Sequence, residues 1–175
     1  MLWLADSFEA IRDFMALGGT VLTWIALTIF LMWALIIERL MYFRAPMKKM
    51  SAEIHDKWEA RAERRSWNAH AIRESMISQF SMATNQFIPM ITTLVALCPL
   101  LGLLGTVTGM IQVFGVMAVS GSGNVRAMAA GVSQATVPTM AGMVGALSGV
   151  LLITLLSRRA AREVEFLEDS LTMDH

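Results

Sequence analysis

Thr92, Thr106, Thr136, Thr139 and Gln134 stand inside long apolar runs of this 175-residue chain. Polar groups in such places can orient water, hydrogen-bond a carboxyl group brought by another chain, or return a bond to a backbone carbonyl one turn earlier. None of them can carry a proton, because neither a threonine hydroxyl nor a glutamine amide titrates near neutral pH. Proton relays inside membranes use Asp, Glu or His. No such residue lies between Phe14 and Ile37 or between Glu74 and Glu163. If protons pass along these runs, the titrating group comes from a second chain.

Other chemistry has little to stand on. No nucleophile–base pair is visible, so an enzyme is not expected and no residue reads as catalytic. His55, His70 and His175 lack metal-ligand spacing and read as solvated surface groups, so neither a metal nor another cofactor is expected. Cys98 is the single cysteine, which rules out an intrachain disulfide. The formal net charge is zero and gives no nucleic-acid signal.

The polar residues fall into stripes. On a wheel of about 100° per residue, Val132, Thr136, Thr139, Met143, Ala146, Val150, Thr154 and Ser157 lie within about 80° of one another. Roughly opposite are Gln134, Pro138, Ala141, Gly145 and Gly149. Ala141-x3-Gly145-x3-Gly149 is a small-residue spacing that lets helices approach closely in lipid. The run before it repeats the design. Thr92, Val95, Pro99, Gly102, Thr106, Met110, Val113 and Met117 form one stripe, with Gly105-x3-Gly109 to its side. Pro99 and Pro138 each lack an N–H and leave the carbonyls of Val95 and Gln134 without their usual donor, which distorts a helix and calls for a substitute. For any single threonine, bonding back to the backbone is the commoner outcome. Two such stripes, on adjacent helices that each hold a proline, point to a wet or partner-facing surface.

The elements that position these stripes follow from composition. The chain is 55% hydrophobic and only 16% charged, against about 25% charged in soluble domains; its mean hydropathy is +0.56. Continuous apolar runs of about 20 residues cross a bilayer as helices, so the expected fold is an all-α integral membrane protein with three transmembrane helices and a cytoplasmic helical extension. The expected boundaries are an external amphipathic helix over 1–17, spans over 18–37, 87–119 and 130–157, a cytoplasmic helical region over 38–86, an external turn over 120–129 and a cytoplasmic tail over 158–175. In the first of these, Leu4, Phe8, Ile11 and Met15 recur at helical spacing. Acidic Asp6, Glu9 and Asp13 argue against a cleaved signal peptide. Pro46 is expected to break the chain after the first span. Ile54, Trp58, Trp67, Ile72, Met76 and Phe80 are the packing candidates of the 38–86 region. Of the 14 Lys and Arg residues, Arg12 and Arg126 fall on one side of these spans and the other 12 on the opposite side. Basic residues stay in the cytoplasm, so the N-terminus is expected outside and the C-terminus inside.

The run "PLLGLLGTVTGMIQVF" (Pro99 to Phe114) resembles the glycine-rich signature of the ExbB/TolQ/MotA proton-channel family, and "GVSQATVPTMAGMVGALSGV" (Gly131 to Val150) resembles its third-helix pattern. With three spans and a short cytoplasmic region, the chain is most similar to a short-form ExbB. The resemblance implies a homo-oligomer, a pentamer by family likeness, in the bacterial inner membrane, whose second and third spans line a central lumen. That lumen would hold the single span of an ExbD-like partner bearing an intramembrane Asp, and the complex would use the proton-motive force to drive a TonB-like protein in outer-membrane nutrient uptake. Thr106 and Thr139 match the family's lumen threonines. Gln134 stands where the pattern has Glu, so that position can hydrogen-bond but not ionise. A TolQ-like envelope motor and a non-conducting membrane scaffold are the alternatives.

Overall fold

The computed structural model describes residues 2–61, 63–64, 66–120 and 125–172, and every regular element among them is an α-helix. In order these are α1 (Leu2–Tyr42), α2 (Pro46–Glu59), α3 (Trp67–Asn85), α4 (Ile88–Ser120) and α5 (Val125–Ser170). The stretches Gly19–Tyr42, Trp67–Val119 and Met128–Ser170 are each long and apolar enough to cross a bilayer. The protein is therefore an all-α, multi-pass membrane protein. The side chains of Leu4, Phe8, Ile11 and Met15, and the Gly121–Asn124 part of the expected turn, lie outside the described residues.

Local chemistry explains where the helices bend and stop. At Gly19 the backbone of α1 leaves helical geometry (φ 63°, ψ −158°), a region open to glycine and strained for any residue with a Cβ. Beyond it, Leu22, Ile25, Met32, Ile36, Arg39 and Phe43 are buried at intervals that keep them on one face, and the helix runs past Ile37 to Tyr42. Pro46 is the first residue of α2, where its missing N–H leaves no bond unmade. Ser66 caps α3, its hydroxyl accepting from the Ala69 N–H at 3.3 Å. Both α4 and α5 stay helical through Pro99 and Pro138, and α5 continues past Ser157 to Ser170.

The chain folds as two compact units. Residues 1–33 and 93–150 form the first, in which α1, α4 and α5 meet through small residues. Residues 34–92 and 151–175 form the second, built on buried Phe43, Met47, Ile54, Trp58, Phe80, Leu167 and Leu171. Ile72 and Met76 are half-buried there. Trp67 is not a packing residue: it is 81% exposed, because the inward position of the first turn of α3 belongs to Ala69, about 200° around the helix. In the same unit the end of α5 is capped by side chains. Trp58 Nε1 donates to the Thr172 carbonyl at 3.0 Å, and Arg73 donates to those of Leu171 at 2.8 Å and Glu168 at 2.7 Å. Terminal carbonyls have no intrahelical donor, and a cation at that end also meets the helix dipole favourably.

Candidate functional site

The polar stripes belong to helices that meet along a seam in the first unit. Val113 lies on Gly131, Gly109 on Ala135, Gly105 on Pro138, Gly102 on Thr139, Cys98 on Gly142 and Val95 on Gly149. Numbers fall on α4 as they rise on α5, so the two helices run antiparallel. A Cβ added at Gly142 would strike the Cys98 carbonyl, and one at Gly109 would strike Ala135. Backbone approaches backbone at these points, and only glycine allows it. Ile29 and Met32 of α1 close on Gly145 and Gly149. Among the expected packing residues, Gly105, Gly109, Gly145 and Gly149 therefore sit at close approaches. Ala141 is half-buried beside them, and the seam passes through its neighbour Gly142. The signal was present in the sequence as alternating steps of four and three: Gly131, Ala135, Pro138, Gly142, Gly145, Gly149. A search for every-fourth spacing reaches Ala141 and misses Gly102, Gly131 and Gly142.

The seam fixes the direction of one threonine. The Thr139 hydroxyl donates across it to the Gly102 carbonyl at 2.9 Å, tying α5 to α4. Thr106 donates to Leu103 at 2.8 Å, Thr136 to Ser133 at 2.7 Å and Thr92 to Ile88 at 3.0 Å, each within its own helix. None of the four bonds goes to the carbonyls of Val95 or Gln134. With their single protons committed to carbonyls, the hydroxyl oxygens retain lone pairs only and face their surroundings as acceptors.

Exposure separates the two stripes. On α5, Val132, Thr136, Met143, Val150 and Thr154 are exposed, Thr139 and Ser157 half-buried, and only Ala146 is buried. Most of that stripe is exposed. The α4 stripe is not one face: Thr92 and Pro99 are exposed and Thr106 half-buried, but Val95, Gly102 and Val113 are buried under α5. It lies about 55° from the centre of the seam, whereas the α5 stripe lies about 95° away, taking 100° per residue. Gln134 is exposed and flanks the buried Ala135–Pro138–Gly142 line on the side away from Thr139.

The model of the MotA/TolQ/ExbB proton channel family matches residues 39–169, which contain the α4–α5 seam and Thr92, Thr106, Gln134, Thr136 and Thr139. The chain belongs to that family. A Synechocystis sp. (strain ATCC 27184 / PCC 6803 / Kazusa) protein named, by likeness, biopolymer transport protein ExbB-like 1 is 35% identical over 80 residues. The alignment covers 44% of this chain and 32% of that relative, so the chain spans about a third of the relative's length. Among the described residues there is no cluster of three or more His, Cys, Asp or Glu side chains able to hold a metal ion.

Proposed function

We propose that this chain is the ExbB-like subunit of an inner-membrane motor, with copies, five by family likeness, surrounding a lumen that holds a single-span ExbD-like partner. Proton passage along the partner then energises a TonB-like protein for outer-membrane nutrient uptake. The N-terminus is then periplasmic and the C-terminus cytoplasmic, a reading supported by the uneven distribution of Lys and Arg. The observation that carries this reading is the direction of the Thr139 bond. Because its proton is held by Gly102, Thr139 accepts a hydrogen bond from a protonated carboxyl but offers nothing to an ionised one. Thr106 and Thr136 are poised in the same way. A partner's carboxyl is thus favoured in its neutral form beside the threonines and gives up its proton where the lumen opens to water. One charge moved through 100 mV is worth about 2.3 kcal/mol, enough to bias a coupled motion.

Cysteine cross-linking tests whether the α5 face meets the partner. With Cys98→Ser as background, Met143→Cys is placed on the exposed stripe and Val144→Cys on the next residue, about 100° around the helix. A disulfide to a cysteine beside the partner's intramembrane Asp is expected from position 143 and not from 144. The reverse pattern, or none, would refute the lumen assignment. A scaffold that binds the partner without conducting gives the same cross-link, and only a flux measurement separates the two.

A further inference from the structure

We propose that the corner between α3 and α4 is a sprung elbow, held in its bent form by Arg39. Phe87 sits at that corner with φ 65°, the one positive φ of a non-glycine residue among the described residues. A bulky side chain in the left-handed region is strained, and such strain persists only where the surroundings enforce it. The enforcing group is identifiable. Arg39, in the last turn of α1, is only 2% exposed and carries a charge that it cannot shed. Its guanidinium donates to the Ala83 carbonyl at 3.1 Å. Ala83 is in the last turn of α3, where carbonyls have no intrahelical donor. The same guanidinium lies 4.9 Å from the centroid of the Phe87 ring and 4.9 Å from that of Tyr42.

One cation therefore grips both arms of the bend, the terminal carbonyl of α3 before it and the ring of the strained residue after it. Arg39 makes no salt bridge among the described residues, and its buried Nε makes no hydrogen bond there. The carbonyl and the two ring faces are what compensate its charge, so the cation and the elbow depend on each other. Withdrawal of Arg39 releases Phe87 to a right-handed or extended backbone and lets α3 change direction. A shift in the last turn of α1 is thereby transmitted to the α3–α4 corner. This inference does not depend on the proton-motor reading.

A double-mutant cycle on the full chain in detergent tests it, with thermal unfolding as the readout. Phe87→Leu keeps a large apolar side chain but removes the ring that meets the guanidinium. With Arg39 present, the parent chain is expected to melt above the Phe87→Leu variant. In the Arg39→Met background the cation is gone and the gap is expected to vanish or invert, since leucine is the better helix former. A gap of equal size in both backgrounds would overturn the proposal and assign the bend to the packing of Phe80 and Ile91. If Arg39→Met does not fold, the same comparison in Arg39→Lys decides. Lysine keeps the charge without the fork, so the gap should narrow, and an unchanged gap overturns the proposal equally.

Discussion

Thr139 gives its one proton to Gly102, and that single bond limits its chemistry to accepting. Thr139→Ser keeps both the bond and the free lone pairs, whereas Thr139→Val keeps the shape and loses both. In proteoliposomes with an ExbD-like partner, the serine variant is expected to conduct within about twofold of the parent and the valine variant to lose roughly tenfold or more, the loss of one charge-state-selective hydrogen bond of about 1.4 kcal/mol. The effect on stability should be smaller, about 0.6 kcal/mol for an interhelical bond in a membrane. Equal flux from both variants would remove Thr139 from the pathway. The positions of Thr106 and Thr139 were legible in the sequence, by stripe and by resemblance. Their hydroxyl directions were not, since the choice between a carbonyl in the same helix and one across the seam depends on how closely the backbones approach. Arg39 was legible as a charge at the end of a span, but nothing in its neighbours Glu38 and Leu40 announced the rings it meets.

At the scale of the helix, apolar runs defined the membrane-crossing stretches and Pro46 marked the start of α2. Which face of α4 is covered by α5 could not be read in this way. A wheel gives angles within one helix, and the same angles suit a wet stripe and a seam flank until the neighbouring helix is placed. The buried positions Val95, Gly102 and Val113 belong to the seam because Gly102 and Gly131 let α5 come close. Gly142 is where that approach is most demanding, and its exchange separates the seam from its surroundings. Gly142→Val should force α4 and α5 apart, lowering stability by about 1–3 kcal/mol or more. Ala141→Val, one residue away and half-buried, should cost less than about 1 kcal/mol if its added methyl groups point away from the seam. Thermal unfolding in detergent reads both, and comparable losses would mean that the seam does not discriminate between the two positions. Trp67 teaches the same lesson in the second unit. An aromatic residue at the start of a charged helix is a fair candidate for burial, yet Ala69 occupies the inward place.

For the whole molecule, what matters is a missing group. Three apolar stretches are long enough to cross a membrane in a chain of the MotA/TolQ/ExbB proton channel family, yet no Asp, Glu or His stands between Phe14 and Ile37 or between Glu74 and Glu163. On the proposed function the carboxyl comes from a second chain, and the threonines of the exposed α5 stripe are the acceptors that would receive it. The asymmetry of Lys and Arg supports the proposed direction of insertion, and the seam keeps α4 and α5 in fixed register. The most direct test is proton flux into liposomes under an imposed potential, comparing this chain alone, with an ExbD-like partner, and with that partner's intramembrane Asp changed to Asn. The account predicts flux only with the intact partner. Flux from the chain alone, flux that survives the Asp→Asn change, or no flux in a stable complex would each contradict it.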